Sequence, residues 1–481
     1  MATLAPPAPT ARDTRTAPPR GLLLVILIST FMTSLDFFIV NVAIPSMQLR
    51  LSASTAAIQW IVAGYGLALA ATLITAGRIG DILGRRLVLA LGLALFTLAS
   101  TACGLAPGVD VLIAGRVAQG VGGALMTPQL LVLLQTCFLG RVQAKAFAMY
   151  GLTMGLGAVF GQLIGGVLIR ADLFGLDWRA CFLINLPVGL AALALVPRAV
   201  PESRAPQRPG LDNTGVLLVT AALLTLVLPL IEGRAQGWPL WTWLCLAASP
   251  VLFTVFGVHQ HRQVRRGGHP IVHTGLFRSR TFSVGMLAQL VFWAGQGSFF
   301  LILALYLQQG RGLTALASGL VFVVIGGGYL ATSTVAHLLA ARMGRQVLSV
   351  GALLMALGLG LLWLAAGGAG GGHGSVAWLV PGLLVDGVGM GMLVAPLTSG
   401  MLSGVAPQLA GSASGVLSTA QQVAGALGIA VIGIVFYGGL GRAGTDFPHA
   451  FQLGLLTLAL TELLLAGLVR LLPRGASAEA A

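Results

Sequence analysis

Four ionisable side chains stand alone inside long apolar runs of this chain: Asp36, Arg116, Asp386 and Glu462. A lone charge at the centre of a membrane helix costs about 2.5–3.5 kcal/mol on insertion scales, so a residue kept there usually has a task. Burial favours the neutral form of a carboxyl and a nearby arginine favours the charged form, a competition that suits a group able to take and release a proton. Counted from Arg20 at about 1.5 Å per residue, Asp36 is roughly 23 Å along its apolar run. Arg116 lies on a run of opposite direction, about 9 Å below the far edge at Asp110. The two depths agree, so Asp36 and Arg116 are expected to share one polar cavity, directly or through water. The alternative is that Asp36 only hydrogen-bonds and orders its helix. Asp386, about 15 Å from the end of its run, is a candidate second proton or cation site. Its alternative is a packing role beside a Ser or Thr. Glu462 sits mid-run in the last apolar segment, and Glu232 stands at a run end beside Gly233 and Arg234.

A second constellation lies between two apolar runs: Gly77-Arg78-Ile79-Gly80-Asp81-Ile82-Leu83-Gly84-Arg85-Arg86, spaced G-x-x-x-D-x-x-G-R-R. Glycines there let two helix ends approach and turn sharply. Asp81 can pair with arginines or accept from the free N–H groups of a helix start. Gly157, Gly161, Gly165 and Gly166 form a further pattern, predicted to put small residues on one helix face for close contact. His259, His261, His269 and His273 cluster after the eighth run. They have no acidic or cysteine partner in sequence, so a solvated, lipid-facing loop is expected, with no metal or other cofactor.

The elements that position these residues follow from composition. Charged residues are 8% of 481 and mean hydropathy is +0.93, against about 25% charged in a soluble domain. An all-α integral membrane protein is expected. The net charge of +14 sits in short loops, not on one basic face, which favours anionic lipid headgroups over nucleic acid as its partner. Four cysteines in apolar segments, without paired spacing, exclude a disulfide framework. Segments of about 20 apolar residues can cross a bilayer. Fourteen are predicted: 21–43, 56–77, 87–106, 109–134, 147–169, 180–197, 214–232, 239–258, 281–307, 313–339, 346–366, 376–400, 411–437 and 450–472. Gly21 onward is read as a retained first helix, not a cleaved signal, because its run has full span length and carries Asp36 and Asn41. Loops on the N-terminal side hold 20 Arg and Lys residues and opposite loops hold 6, which predicts both termini in the cytoplasm. One lysine, Lys145, against 26 arginines points to a GC-rich bacterial genome, hence to a bacterial plasma membrane.

The expected organisation is a disordered tail over 1–20, a six-helix bundle over 21–197, and a linker with two inserted helices over 198–280. A second six-helix bundle over 281–472 and a tail over 473–481 complete it. Weak self-similarity supports two halves. Leu83-Gly84-Arg85-Arg86 recurs as Met343-Gly344-Arg345-Gln346, and Gly120-Val121-Gly122-Gly123 as Gly387-Val388-Gly389-Met390-Gly391.

The Gly77–Arg86 string resembles the signature between the second and third spans of the major facilitator superfamily. Leu35-Asp36-Phe37-Phe38-Ile39-Val40-Asn41 resembles the first-span motif of its fourteen-span drug:proton antiporters. Arg116-Val117-Ala118-Gln119-Gly120-Val121-Gly122-Gly123 is similar to their fourth-span motif, and Gly157–Gly166 to their fifth-span antiporter motif. Trp178-Arg179 with Phe182–Pro187 resembles the start of their sixth span. The fifth-span motif usually has Gly-Pro where this chain has Gly161-Gln162, a departure that touches exchange as opposed to symport. The resemblance implies a major facilitator fold with two pseudo-symmetric six-helix bundles. It also implies coupling through Asp36, with Asn41, Arg116 and Gln119 beside it, and a cytoplasmic gate at Gly77, Asp81, Gly84, Arg85 and Arg86. Glu462, on a sixth helix of a half, is implied to be scaffold. The function implied is proton-driven efflux of an amphipathic drug by a monomer, with symport or export of a specific metabolite as the alternative. A polytopic enzyme or receptor is disfavoured, because no H-E-x-x-H, nucleophile elbow or nucleotide loop is present.

Overall fold

The computed structural model describes residues 21–138, 140–202, 212–233, 236–268, 270–367, 374–403, 405, 410–441 and 444–473. Both expected tails (apart from Pro473) and residues 203–211, 234–235 and His269 of the expected linker lie outside the described residues, as does the side chain of Asp81. Sixteen α-helices are described: α1 Leu22–Leu51, α2 Thr55–Leu83, α3 Arg85–Gly104, α4 Val109–Cys137, α5 Gly140–Ala171, α6 Ala180–Leu183, α7 Asn185–Ala199, α8 Asn213–Glu232, α9 Leu240–Arg265, α10 Arg280–Leu305, α11 Ala315–Ser333, α12 Ala336–Met343, α13 Gln346–Gly367, α14 Val380–Ser403, α15 Ala410–Gly439 and α16 Phe447–Leu468. Fourteen segments among them are long and apolar enough to span a membrane.

Helix starts follow local chemistry. Ser54, Asp212, Ser279, Thr314 and Asp446 each accept a backbone N–H of the turn they precede, satisfying donors that a helix start leaves free. Gly84 joins α2 to α3 at φ 109°, ψ 135°, a backbone setting that side chains with a Cβ rarely adopt.

α1–α7 pack as one bundle and α10–α16 as another, with α5 against α11 and α2 against α15 as the two seams between them. We call the end where α1 begins the arginine-rich face. Contacts between the halves gather from the opposite face to about mid-depth. Gln308 donates to the Val42 carbonyl and Gln309 to Gln48. Phe38 meets Phe300 at 5.2 Å between ring centroids, and Phe300 stacks on Phe322.

Two expectations on span geometry need correction. The tenth span does not run unbroken over 313–339: α11 ends at Ser333 and α12 restarts at Ala336. The break falls in Thr332-Ser333-Thr334, whose hydroxyls bond back to the Gly328, Leu330 and Ala331 carbonyls, a competition that weakens a helix. The histidines do not all lie in a solvated loop either. His259 and His261 fall within the last turns of α9, and His259 Nε2 pairs with Asp212 at 2.8 Å.

That pair closes the inserted hairpin α8–α9. Asp212, 3% exposed, also accepts from Gln260 Nε2 at 2.7 Å and from the Gly215 N–H, while Gln260 Oε1 accepts the Val272 N–H. Burial alone pushes this carboxyl up. The donated hydrogen bonds and the His259 charge outweigh that and hold it below its ordinary value. A depressed carboxyl contributes stability that is complete above the unfolded value and disappears as pH falls through the folded one. Thermal unfolding followed against pH should therefore show a loss confined to below about pH 4, absent in Asp212→Asn. That variant keeps a cap oxygen and should lose about 1 kcal/mol at neutral pH, with the charge that strengthens the bonds from His259 and Gln260; an unchanged acid limb would contradict the assignment.

Candidate functional site

α1, α3, α4 and α7 converge on Asp36, which is fully buried. Arg116 Nη1 donates to Asp36 Oδ2 at 2.6 Å. Gln119 Nε2 and Asn185 Nδ2 both donate to Oδ1, at 2.7 and 2.9 Å. Arg116 is held in turn by Gln119 Oε1 at 2.7 Å and by the Ile61 carbonyl at 3.0 Å. Its guanidinium lies over the Tyr65 ring, 4.4 Å from the centroid, with Phe182 at 5.8 Å. Such stacking suits the planar, weakly hydrated guanidinium better than an ammonium. Asn185 Nδ2 also reaches Ser100 Oγ, which donates to the Phe182 carbonyl.

Every hydrogen-bond partner of the Asp36 oxygens among the described residues is a donor. The arrangement is that of an ionised carboxylate, because a carboxyl O–H pointed at any of these groups would meet a hydrogen. Three donors fill three of the roughly four acceptor sites of the carboxylate, so a proton there would weaken charge-assisted bonds, chiefly the one from Arg116. A proton arriving here and a shift of α1 against α4 or α7 are mechanically tied.

The sequence placed Asp36 and Arg116 at one depth, and here they touch. Gln119 joins them through its position three residues along α4 from Arg116. Asn41 does not: it is buried one turn farther on and its Oδ1 has no partner. Asn185 was not foreseen as a ligand of this carboxylate, nor Ser100 as the partner that holds Asn185. The only signal was that Asn185 is a polar residue just inside the sixth span.

The Gly77–Arg86 string packs closely on α4 where α2 meets α3. Gly77 packs on Pro128, and a Cβ on Gly80 would strike the Gln129 amide, which donates to the Ala76 carbonyl. Arg86 reaches Glu202, just past α7, at 3.6 Å between partly exposed side chains. The four glycines of α5 do not share one face, contrary to expectation. Gly157, Gly161 and Gly165 pack on α1 at Ser34, Phe38 and Val42, whereas Gly166 faces α11 at Ala315 and Leu316. Gly166 directly follows Gly165, so on a helix it must point some 100° away. Asp386 and Glu462 are buried in the second bundle, away from this network.

Residues 26–429 match the family described as Major Facilitator Superfamily. The chain is 41% identical over 428 residues to a probable actinorhodin transporter of Streptomyces coelicolor, covering 88% of this chain and 73% of that protein. It is 35% identical over 434 residues to a tetracenomycin C resistance and export protein of Streptomyces glaucescens, covering 89% and 78%. Among solved structures, a POT family transporter in complex with a thioalcohol-conjugated peptide shares the fold at a TM-score of 0.71 and 16% identity, over 94% of this chain and 97% of that one. With fourteen apolar helical spans among the described residues, twelve of them in two bundles, the chain belongs to the major facilitator superfamily and is a membrane transporter, not an enzyme.

Proposed function

We propose that this protein expels an amphipathic drug or antibiotic across the bacterial plasma membrane in exchange for protons, as a monomer with both termini in the cytoplasm. The observation that carries the proposal is the Asp36–Arg116 ion pair, buried where α1, α4 and α7 meet and built entirely of donors around one carboxylate. A proton on Asp36 would loosen the hold on Arg116, so its arrival favours a change of that packing, which is what coupling requires. The names of the relatives, as exporters of antibiotics, support efflux over uptake. The arginine bias supports placing the arginine-rich face in the cytoplasm. With the halves joined at the opposite face, the arrangement described is then the state closed to the outside, and cargo binds near mid-depth between the halves. No nucleotide is needed: each 100 mV supplies about 2.3 kcal/mol per charge moved.

The test is purified protein in sealed vesicles under an imposed proton gradient, with ethidium and a set of antibiotics as cargo. Accumulation that follows the gradient and collapses with a protonophore is the expected result. Equal uptake with and without the gradient would remove proton coupling, and no movement of any compound would remove efflux of this class.

A further inference from the structure

The second bundle repeats the first, and its equivalent of the Asp36 centre is built differently. Asp386 precedes Gly387 as Gln119 precedes Gly120, so it occupies on α14 the place Gln119 occupies on α4. Gly295 lies nearly as far along α10 as Asp36 lies along α1. Where the first bundle has its acid on α1, the second leaves that spot empty of a side chain and fills it from α16. A Cβ on Gly295 would stand 3.2 Å from Glu462 Oε1. Across the bundle, a Cβ on Gly358 of α13 would lie 2.9 Å from Asp386 Cβ and 2.7 Å from its N. Asp386 and Glu462 are 1% and 2% exposed, on α14 and α16, which both pack on α13.

The contrast lies in the partners. Asp36 has an arginine and two amide donors. Asp386 Oδ2 and Glu462 Oε2 are buried with no hydrogen-bond partner, and no ion pair reaches either residue among the described residues. The helices packed around them offer no compensation. α13 and α15 carry no charged residue, and α10 has only Arg280, at its far end. α11 adds Tyr329, α15 Tyr437 and α16 His449 near its opposite end, while His337, Arg342 and Arg470 lie at or beyond span ends. A carboxylate without counter-ion or donor is strongly disfavoured in such surroundings, and two in one bundle more so.

We infer that Asp386 and Glu462 form a second proton-binding site, distinct from Asp36, in which the two carboxyls are neutral in this state and release a proton when the second bundle rearranges. Binding forms one O–H bond on a carboxylate oxygen and removes one negative charge. Release returns the proton to water and leaves a charge the pair tolerates only with water or a cation admitted. The inference rests on the proton-driven reading above, and it gives the two halves different tasks: the first holds a locked ion pair, the second a loaded acid.

Infrared difference spectroscopy of the reconstituted protein during an acid–base titration tests it directly. A protonated-carboxyl carbonyl band is expected, reduced in Asp386→Asn and in Glu462→Gln and absent in the double variant. In vesicles the double variant should lose one coupled charge, lowering limiting accumulation at 100 mV by about fiftyfold, the equivalent of about 2.3 kcal/mol. If the amide variants fail to insert, Asp386→Glu and Glu462→Asp keep the acid and should shift the band. A band unchanged in all five variants overturns the inference, as does a band bleached by sodium at constant pH, which would make the pair a metal-cation site. Absence of gradient-driven transport in the unmodified protein would instead defeat the proton-driven reading, leaving the infrared result to judge the pair.

Discussion

Asp36→Asn should abolish proton-driven transport while the chain still inserts and folds. Asn keeps one oxygen to accept from Arg116 Nη1, and Arg116 retains Gln119 Oε1, the Ile61 carbonyl and the Tyr65 ring. What disappears is the oxygen that exchanges a proton. Removal of the other partner is harsher. Arg116→Leu leaves a buried carboxylate whose only remaining donors are Gln119 and Asn185, and breaking a buried pair from one side typically costs about 3–5 kcal/mol. Arg116→Lys keeps the charge but not the planar group that stacks on Tyr65, so it should be only a partial rescue. The double variant Asp36→Asn/Arg116→Leu should recover stability relative to Arg116→Leu without recovering transport, and a double-mutant cycle on thermal unfolding reads that coupling. Undiminished drug-driven proton flux in Asp36→Asn would dispose of the role assigned to it.

Gly166→Leu is the second large effect. A Cβ at Gly166 would sit 2.6 Å from the Ala315 carbonyl oxygen and 2.7 Å from Leu316 Cα, both backbone atoms of the facing half. Gly319 reciprocates, its Cβ falling 2.6 Å from the Gln162 carbonyl. Neither helix can give way locally as a flexible side chain would. Overpacking of this kind costs about 1–3 kcal/mol, enough to bias two conformations by about 5- to 150-fold. The substitution should wedge the α5–α11 seam and favour the state in which that seam is apart, with transport lost and the protein still monodisperse. Distances between spin labels on α5 and α11, at the face away from the arginines, should lengthen. Unchanged distances together with lost transport would place the effect elsewhere. Gly165→Ala is the control, because it presses on α1 inside one bundle.

Much of this was legible in the chain. Hydropathy alone yields fourteen spans, because a backbone in lipid must bond within itself and a helix of about 20 residues is the unit that does so. Depth counting brought Asp36 and Arg116 together because a rigid rise per residue carries over from sequence to space. Where that rise is interrupted, the reading failed. The sixth span opens with tight turns over Asp177–Arg179 and the short α6 before α7 begins at Asn185. No count along a straight helix would aim Asn185 at Asp36. The break after Ser333 depends on where three hydroxyls find acceptors, and the clasp of Asp212 by His259 and Gln260 joins residues 47 and 48 positions apart. Periodicity carries no information about either. The orphan oxygens of Asp386 and Glu462 were equally out of reach, since a missing partner is a property of the packed bundle.

The inserted hairpin makes the two flanks of the molecule unequal. α8 lies against α2 of one half and α15 of the other, and the Trp60 indole of α2 donates to Glu232 at its end, at 2.7 Å. α9 rests on α8, with Ser249 bonded to the Ala222 carbonyl, and turns most of its surface to lipid. When the halves tilt, α8 can travel with only one of them and must slide over the other. One side of the machine thus turns against a sliding bearing, while the α5–α11 side turns bare.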